Sequence, residues 1–147
     1  MKADVPLSEQ LARELHGLWE SIFGWPGDLP LEVFLGSELG QNHNSVYLTR
    51  RGPLLAGTCV LTKSKTVPSL GGFGEVATQP EFRRSGIATD LCGRAVEDFR
   101  AVGGRALFLG TGNPEAARIY YRLGWRRLAG TNVMANITAA DSPEEFL

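Results

Sequence analysis

Apolar residues recur at helical spacing through Leu7, Leu11, Leu15, Leu18, Trp19, Ile22 and Phe23, which predicts an amphipathic helix. Ser8 is placed to cap it, and Gly24 with Pro26 to stop it. A second short helix is predicted from Leu31 to Glu38. The period then changes to two. Val46 to Arg50 and Leu54 to Leu61 read as strands joined by an Arg51-Gly52-Pro53 hairpin. Lys63 to Leu70 reads as a loop, and Phe73 to Thr78 as the next strand. Ile87, Leu91, Ala95, Val96 and Phe99 mark one face of a longer helix that stops at Gly103-Gly104. Arg105 to Leu109 is a short apolar strand, parallel to the preceding one because a helix connects them. A further helix carries Asn113 at its cap, Pro114 in its first turn, Glu115 at its positive end and Gly124 just past its end. Trp125 to Leu128 and Asn132 to Ile137 complete the sheet. Ser142-Pro143-Glu144-Glu145 reads either as a helix start in a chain cut from a longer protein or as a frayed terminus.

Candidate chemistry concentrates between Glu75 and Ala88. The strand through Gly74, Glu75, Val76, Ala77 and Thr78 passes by Pro80 into Arg83, Arg84, Ser85, Gly86, Ile87 and Ala88, where the long helix begins. Such a turn aims several backbone N–H groups and a helix N-terminus at one point, which is the physics of a pyrophosphate cradle. Gly86 lets the backbone approach an anion closely, and the two arginines add positive charge at the rim.

These residues resemble a known family. Arg83-x-x-Gly86-x-Ala88 is similar to the acetyl-CoA signature of the GNAT superfamily of N-acetyltransferases (Gln/Arg-x-x-Gly-x-Gly/Ala). Downstream, Asn113, Ala116, Tyr120, Gly124 and Trp125 follow the spacing Asn-x-x-Ala-x-x-x-Tyr-x-x-x-Gly-aromatic, which resembles the family's next helix and strand. The resemblance covers roughly residues 44–137; the first forty match no named motif. It implies an α/β (α+β) domain with a mixed, mostly antiparallel sheet flanked by helices. Acetyl-CoA would lie in a cleft between two splayed parallel strands.

The resemblance also implies roles. Backbone N–H groups from Arg84 to Thr89 would hold the pyrophosphate. Val76 and Thr78, with Ala77 between them, would run alongside the pantetheine amides, and the Val76 N–H would polarise the thioester carbonyl. Asn113 would both cap its helix and bond to the cofactor. Tyr120 stands where the family places a general acid, and a phenol (reference pKa about 10) could donate to a departing thiolate (about 8.5). A packing role for Tyr120 is the alternative, one that Tyr121 could fill instead. Glu75 is the carboxylate on the cofactor strand, and alternation puts it on the face opposite Gly74 and Val76. Other family positions for a base fall on Gly72, Gly74 and Phe108, none of which can serve. Glu75 therefore acts as a base through water, binds the amine, or is structural.

At 147 residues the chain is one domain, large enough for its own core. A formal net charge of -1 argues against a general nucleic-acid or membrane binder. No apolar run approaches the ~20 residues that a membrane span needs. Cys59 and Cys92 lack metal spacing and read as reduced, packed thiols in a cytoplasmic protein. His16 and His43 read as surface or packing residues. Gly71-Gly72-Phe73-Gly74-Glu75-Val76 mimics a kinase glycine loop, but no segment of kinase catalytic machinery follows. The reading is an acetyl-CoA-dependent N-acetyltransferase acting on a small-molecule or peptide amine by direct attack, without metal, as a monomer or homodimer. The alternative is a catalytically silent acyl-CoA-binding module. An acyl group other than acetyl is a third option, because glycines 71, 72 and 74 leave room near the thioester. Acceptor choice would come from the N-terminal helices and the 63–70 loop, and the near-neutral charge disfavours a polycationic amine.

Overall fold

The structure is a computed structural model and describes residues 1–24, 29–37 and 39–137. Pro26, Glu38 and the Ser142–Glu145 tail, on which sequence expectations were placed, lie outside the described residues. Elements run β1 (Lys2–Asp4), α1 (Glu9–Phe23), α2 (Leu29–Leu35), β2 (Asn42–Arg51), β3 (Leu54–Ser64), β4 (Leu70–Thr78), a 3-10 turn (Pro80–Phe82), α3 (Ile87–Ala101), β5 (Ala106–Gly110), α4 (Pro114–Arg122), β6 (Arg126–Arg127) and β7 (Val133–Ile137). The strands form one mixed sheet in the order β1-β2-β3-β4-β5-β7-β6, antiparallel except between β4 and β5. The expected fold class is borne out.

Local chemistry explains the element ends. The Ser8 hydroxyl accepts from the Leu11 N–H at 3.2 Å to cap α1, and Gly24 closes it at φ 69°. Asn113 Oδ1 accepts from the N–H groups of Glu115 (2.9 Å) and Ala116 (3.4 Å) to open α4. β2 and β3 are buried on both faces, so their apolar runs are nearly continuous. Val46, Leu48 and Val60 pack beneath α1 and α2, while Tyr47, Cys59 and Leu61 pack beneath α3. Both cysteines are free and buried. The Tyr47 hydroxyl donates to exposed Asp98 on α3 at 2.7 Å, at the edge of this layer.

Several expectations need correcting. Lys2–Asp4 pairs with β2 at the sheet edge, although three residues carry too little periodicity to announce a strand. The loop after β3 is shorter than 63–70, because Lys63 and Ser64 still pair with β2 and Leu70 already belongs to β4. The strand expected over Trp125 to Leu128 is reduced to Arg126–Arg127.

The largest correction concerns β4. Thr58 pairs with Ala77 and Val60 with Gly74, so three steps on β4 face two on β3: a β-bulge with one extra residue. Glu75 sits there at φ 46°, in the left-handed region. The extra residue interrupts alternation. Gly74, opposite Val60, faces the α1 side, whereas Val76 packs into the α3-side core. Gly74 and Val76 therefore do not share a face, contrary to the alternation argument.

Candidate functional site

β4 and β5 pair over three positions only: Leu70 with Ala106, Gly71 with Leu107 and Gly72 with Phe108. Beyond Gly72 the strands carry no mutual ladder, although β4 continues to Thr78 and β5 to Gly110. The bulge falls on the unpaired half of β4. The sheet is thus split on the side of Val76, Ala77 and Thr78.

The cradle loop closes one end of this split. Arg84 (φ 63°) and Gly86 (φ 80°) are both left-handed, and Gly86 precedes α3 without any side-chain cap. The opening N–H groups of α3 are therefore left to an external acceptor, at the positive end of a 15-residue helix. Arg83 reaches back to the Thr78 carbonyl at 3.2 Å, tying the loop to the end of β4. The height of α3 above the sheet depends on Gly57, where an added Cβ would lie 2.4 Å from Ile87 Cγ2.

A cleft of ≈ 650 Å³ joins these parts. Val76, Ala77, Thr78, Arg83, Arg84, Gly86, Ile87, Ala88 and Thr89 line it from β4 and α3, and Asn113 and Tyr120 line it from α4. Eleven of the thirteen site residues expected from sequence thus meet in one place. Ser85 instead turns away, its hydroxyl donating to the Phe82 carbonyl, and lines a separate hollow behind Gly86. Glu75 is not among the lining residues. Ile22 and Phe23, from the last turn of α1, do line the cleft. Sequence reading missed them, since their spacing marked them as ordinary core positions.

Tyr120 is buried against Trp125, their ring centroids 6.1 Å apart. Its hydroxyl bonds to none of the described residues, and burial raises its pKa. The phenol stays protonated at neutral pH and faces the cleft as an uncommitted donor. Tyr121, the alternative, is 58% exposed and stacks with Arg126 at 4.1 Å, so it takes no part in the core. Burial likewise pushes the Glu75 carboxyl up to about 6. That carboxyl has no hydrogen-bond partner among the described residues.

The glycines of β4 differ. A Cβ at Gly74 would meet nothing within 4 Å and one at Gly72 only Thr62 Cβ at 3.9 Å, whereas one at Gly71 would lie 2.8 Å from the Thr62 carbonyl oxygen. Gly71 is a packing glycine; positions 72 and 74 have open space beside them, but neither is among the residues lining the cleft.

Comparison with known proteins bears on the family and the fold. The sequence profile described as "Acetyltransferase (GNAT) family" matches residues 9–125. No curated protein matches the chain. Among solved structures, a GNAT-family acetyltransferase from Desulfovibrio desulfuricans superposes with a TM-score of 0.71 at 20% identity, covering 92% of this chain and 95% of that one. An aminoglycoside 6'-N-acetyltransferase complexed with coenzyme A gives 0.69 at 14% identity, covering 93% and 96%. The ribosomal-protein-S18-alanine N-acetyltransferase from Escherichia coli gives 0.68 at 14% identity, covering 96% and 97%. At these identities the structural likeness speaks for the fold.

Proposed function

The chain belongs to the GNAT family of acetyltransferases, and from that premise we propose that it moves an acetyl group from acetyl-CoA to a primary amine by direct attack. One observation carries the reading. The split strand, the uncapped α3 N-terminus and the free Tyr120 phenol open onto a single cleft, although they are far apart in sequence. The cleft suits the group. Uncapped N–H groups at a helix start, flanked by Arg83 and Arg84, fit a pyrophosphate. An unpaired strand fits a chain carrying amides of its own.

Acetyl-CoA supplies an activated thioester. The Val76 N–H holds the thioester oxygen and stabilises the charge that builds there as the amine attacks. Tyr120 donates to the departing sulfur. Burial raises the phenol's pKa, which keeps its proton in place until the thiolate forms. Glu75, with a pKa near 6, is about nine-tenths ionised at pH 7 and takes the amine proton, through water since it stands off the cleft wall. In this reading the chain acts as one domain in the cytoplasm. No described helix is long and apolar enough to cross a membrane.

A silent acyl-CoA-binding module is the second reading, favoured by the lining itself: among the described residues its one carboxylate is Glu115, on α4. A thermal melt with acetyl-CoA, and with ATP as control, tests the cofactor site. Ligand at about 100 times its dissociation constant adds roughly 2.7 kcal/mol and several degrees. No shift with millimolar acetyl-CoA overturns both readings. A shift without CoA release across an amine panel leaves the silent module standing. In an active enzyme, Tyr120→Phe lowers turnover far more than it lowers the melt shift; equal turnover would remove Tyr120 from the mechanism.

A further inference from the structure

One hydrogen-bond chain runs from α1 to the bulge. The Trp19 indole Nε1–H donates to Thr58 Oγ1 at 2.9 Å, and the Thr58 hydroxyl donates to the Glu75 carbonyl at 2.8 Å. Trp19 and Thr58 are each 1% exposed, so the bond between them is shielded from water. The direction of the chain is forced. An indole can only donate, so the threonine oxygen accepts from Trp19, and its single proton is left for the carbonyl.

The carbonyl of Glu75 and the N–H of Val76 belong to the same rigid trans peptide, and point in opposite directions from it. Thr58 stands on β3, on one side of β4, while β5 stands on the other. Drawing the Glu75 carbonyl toward Thr58 therefore turns the Val76 N–H toward β5, on the stretch where the β4–β5 ladder has ended. A hydrogen bond accepted at the carbonyl also polarises the peptide, making its N–H a stronger donor. The bulge needs such a clamp, because a glutamate at φ 46° is intrinsically unfavourable.

We infer that Thr58, itself fixed by Trp19, is a positioning residue that holds the 75–76 peptide plane and so aims the Val76 N–H into the cleft. The inference rests on the acetyl-transfer reading for its catalytic meaning, but the peptide geometry can be tested without it.

Thr58→Val keeps the shape and removes the hydroxyl. In the enzyme, kcat falls by about tenfold or more, on the scale of weakening an oxyanion donor, while KM for acetyl-CoA changes less than about threefold. Thr58→Ser, which keeps the donor, restores most of kcat, and Trp19→Phe lowers it to an intermediate degree. In the ligand-free protein, the Val76 amide proton resonance moves upfield in Thr58→Val and stays in place in Thr58→Ser. A Thr58→Val enzyme with wild-type kcat overturns the inference, as does a serine variant as impaired as valine, or a Val76 resonance unmoved by valine. If Thr58→Val does not fold, the serine and Trp19→Phe variants carry the same comparison. If the wild type shows no acetyl transfer, the proposed function fails, and the resonance shift alone decides the geometry.

Discussion

Replacing Glu75 by glutamine removes one titration and leaves the backbone strain and side-chain size nearly unchanged. Burial raises this carboxyl from 4.5 to about 6, so the folded state holds the proton more tightly than the unfolded chain. Below about pH 4 the side chain is protonated in both states and costs nothing extra. As pH rises through the interval between the two values, the unfolded chain ionises first and stability is lost. At about 1.36 kcal/mol per pKa unit, the full cost above about pH 7 is about 2 kcal/mol. Glu75→Gln avoids it. Urea unfolding of wild type and variant should therefore coincide near pH 4, and the variant should be more stable by about 2 kcal/mol near pH 7, or roughly 4–8 °C in melting temperature. A gap that does not change with pH would refute the assignment of the shift to this carboxyl. The same substitution tests the base: wild-type kcat/KM should rise with pH through about 6, and the limb should vanish in the variant.

Gly57→Ala drives a methyl group into Ile87 Cγ2 at 2.4 Å; chemical unfolding should show a loss of about 1–3 kcal/mol, with a weaker melt shift for acetyl-CoA as the start of α3 is displaced. Gly74→Ala meets open space, so stability should hold within about 1 kcal/mol, and competition assays should show longer acyl-CoA chains losing ground to acetyl-CoA. Asp98→Ala removes the exposed carboxylate that accepts from the Tyr47 hydroxyl and should cost about 1 kcal/mol by urea denaturation.

Much of the α3 and α4 side of the cleft was legible in sequence because it is built from local chemistry. Gly86 and Asn113 announce two helix starts by residue type, and the Arg83–Ala88 spacing announces the loop between strand and helix. What escaped was non-local. Nothing in Gly74-Glu75-Val76 says that the strand carries an extra residue, because the bulge is defined by its register with β3; period-two reasoning then put Gly74 and Val76 on one face. Trp19 stood out only as one apolar position of a helix and Thr58 not at all within its strand, since their bond joins residues 39 apart. Gly71 looked like open space until Phe99 and Leu107 were seen to occupy it.

Strand edges usually invite other strands, and proteins guard them by keeping them short, charged or covered. Here β4 has an edge in the middle of the sheet, opened where its ladder with β5 stops at Gly72. α1 and α4 both reach the cleft beside it, so this edge lies between two helices instead of on the open rim of the sheet. In the proposed reaction the same covering that guards the edge from other strands leaves its backbone free for the amide-bearing arm of acetyl-CoA.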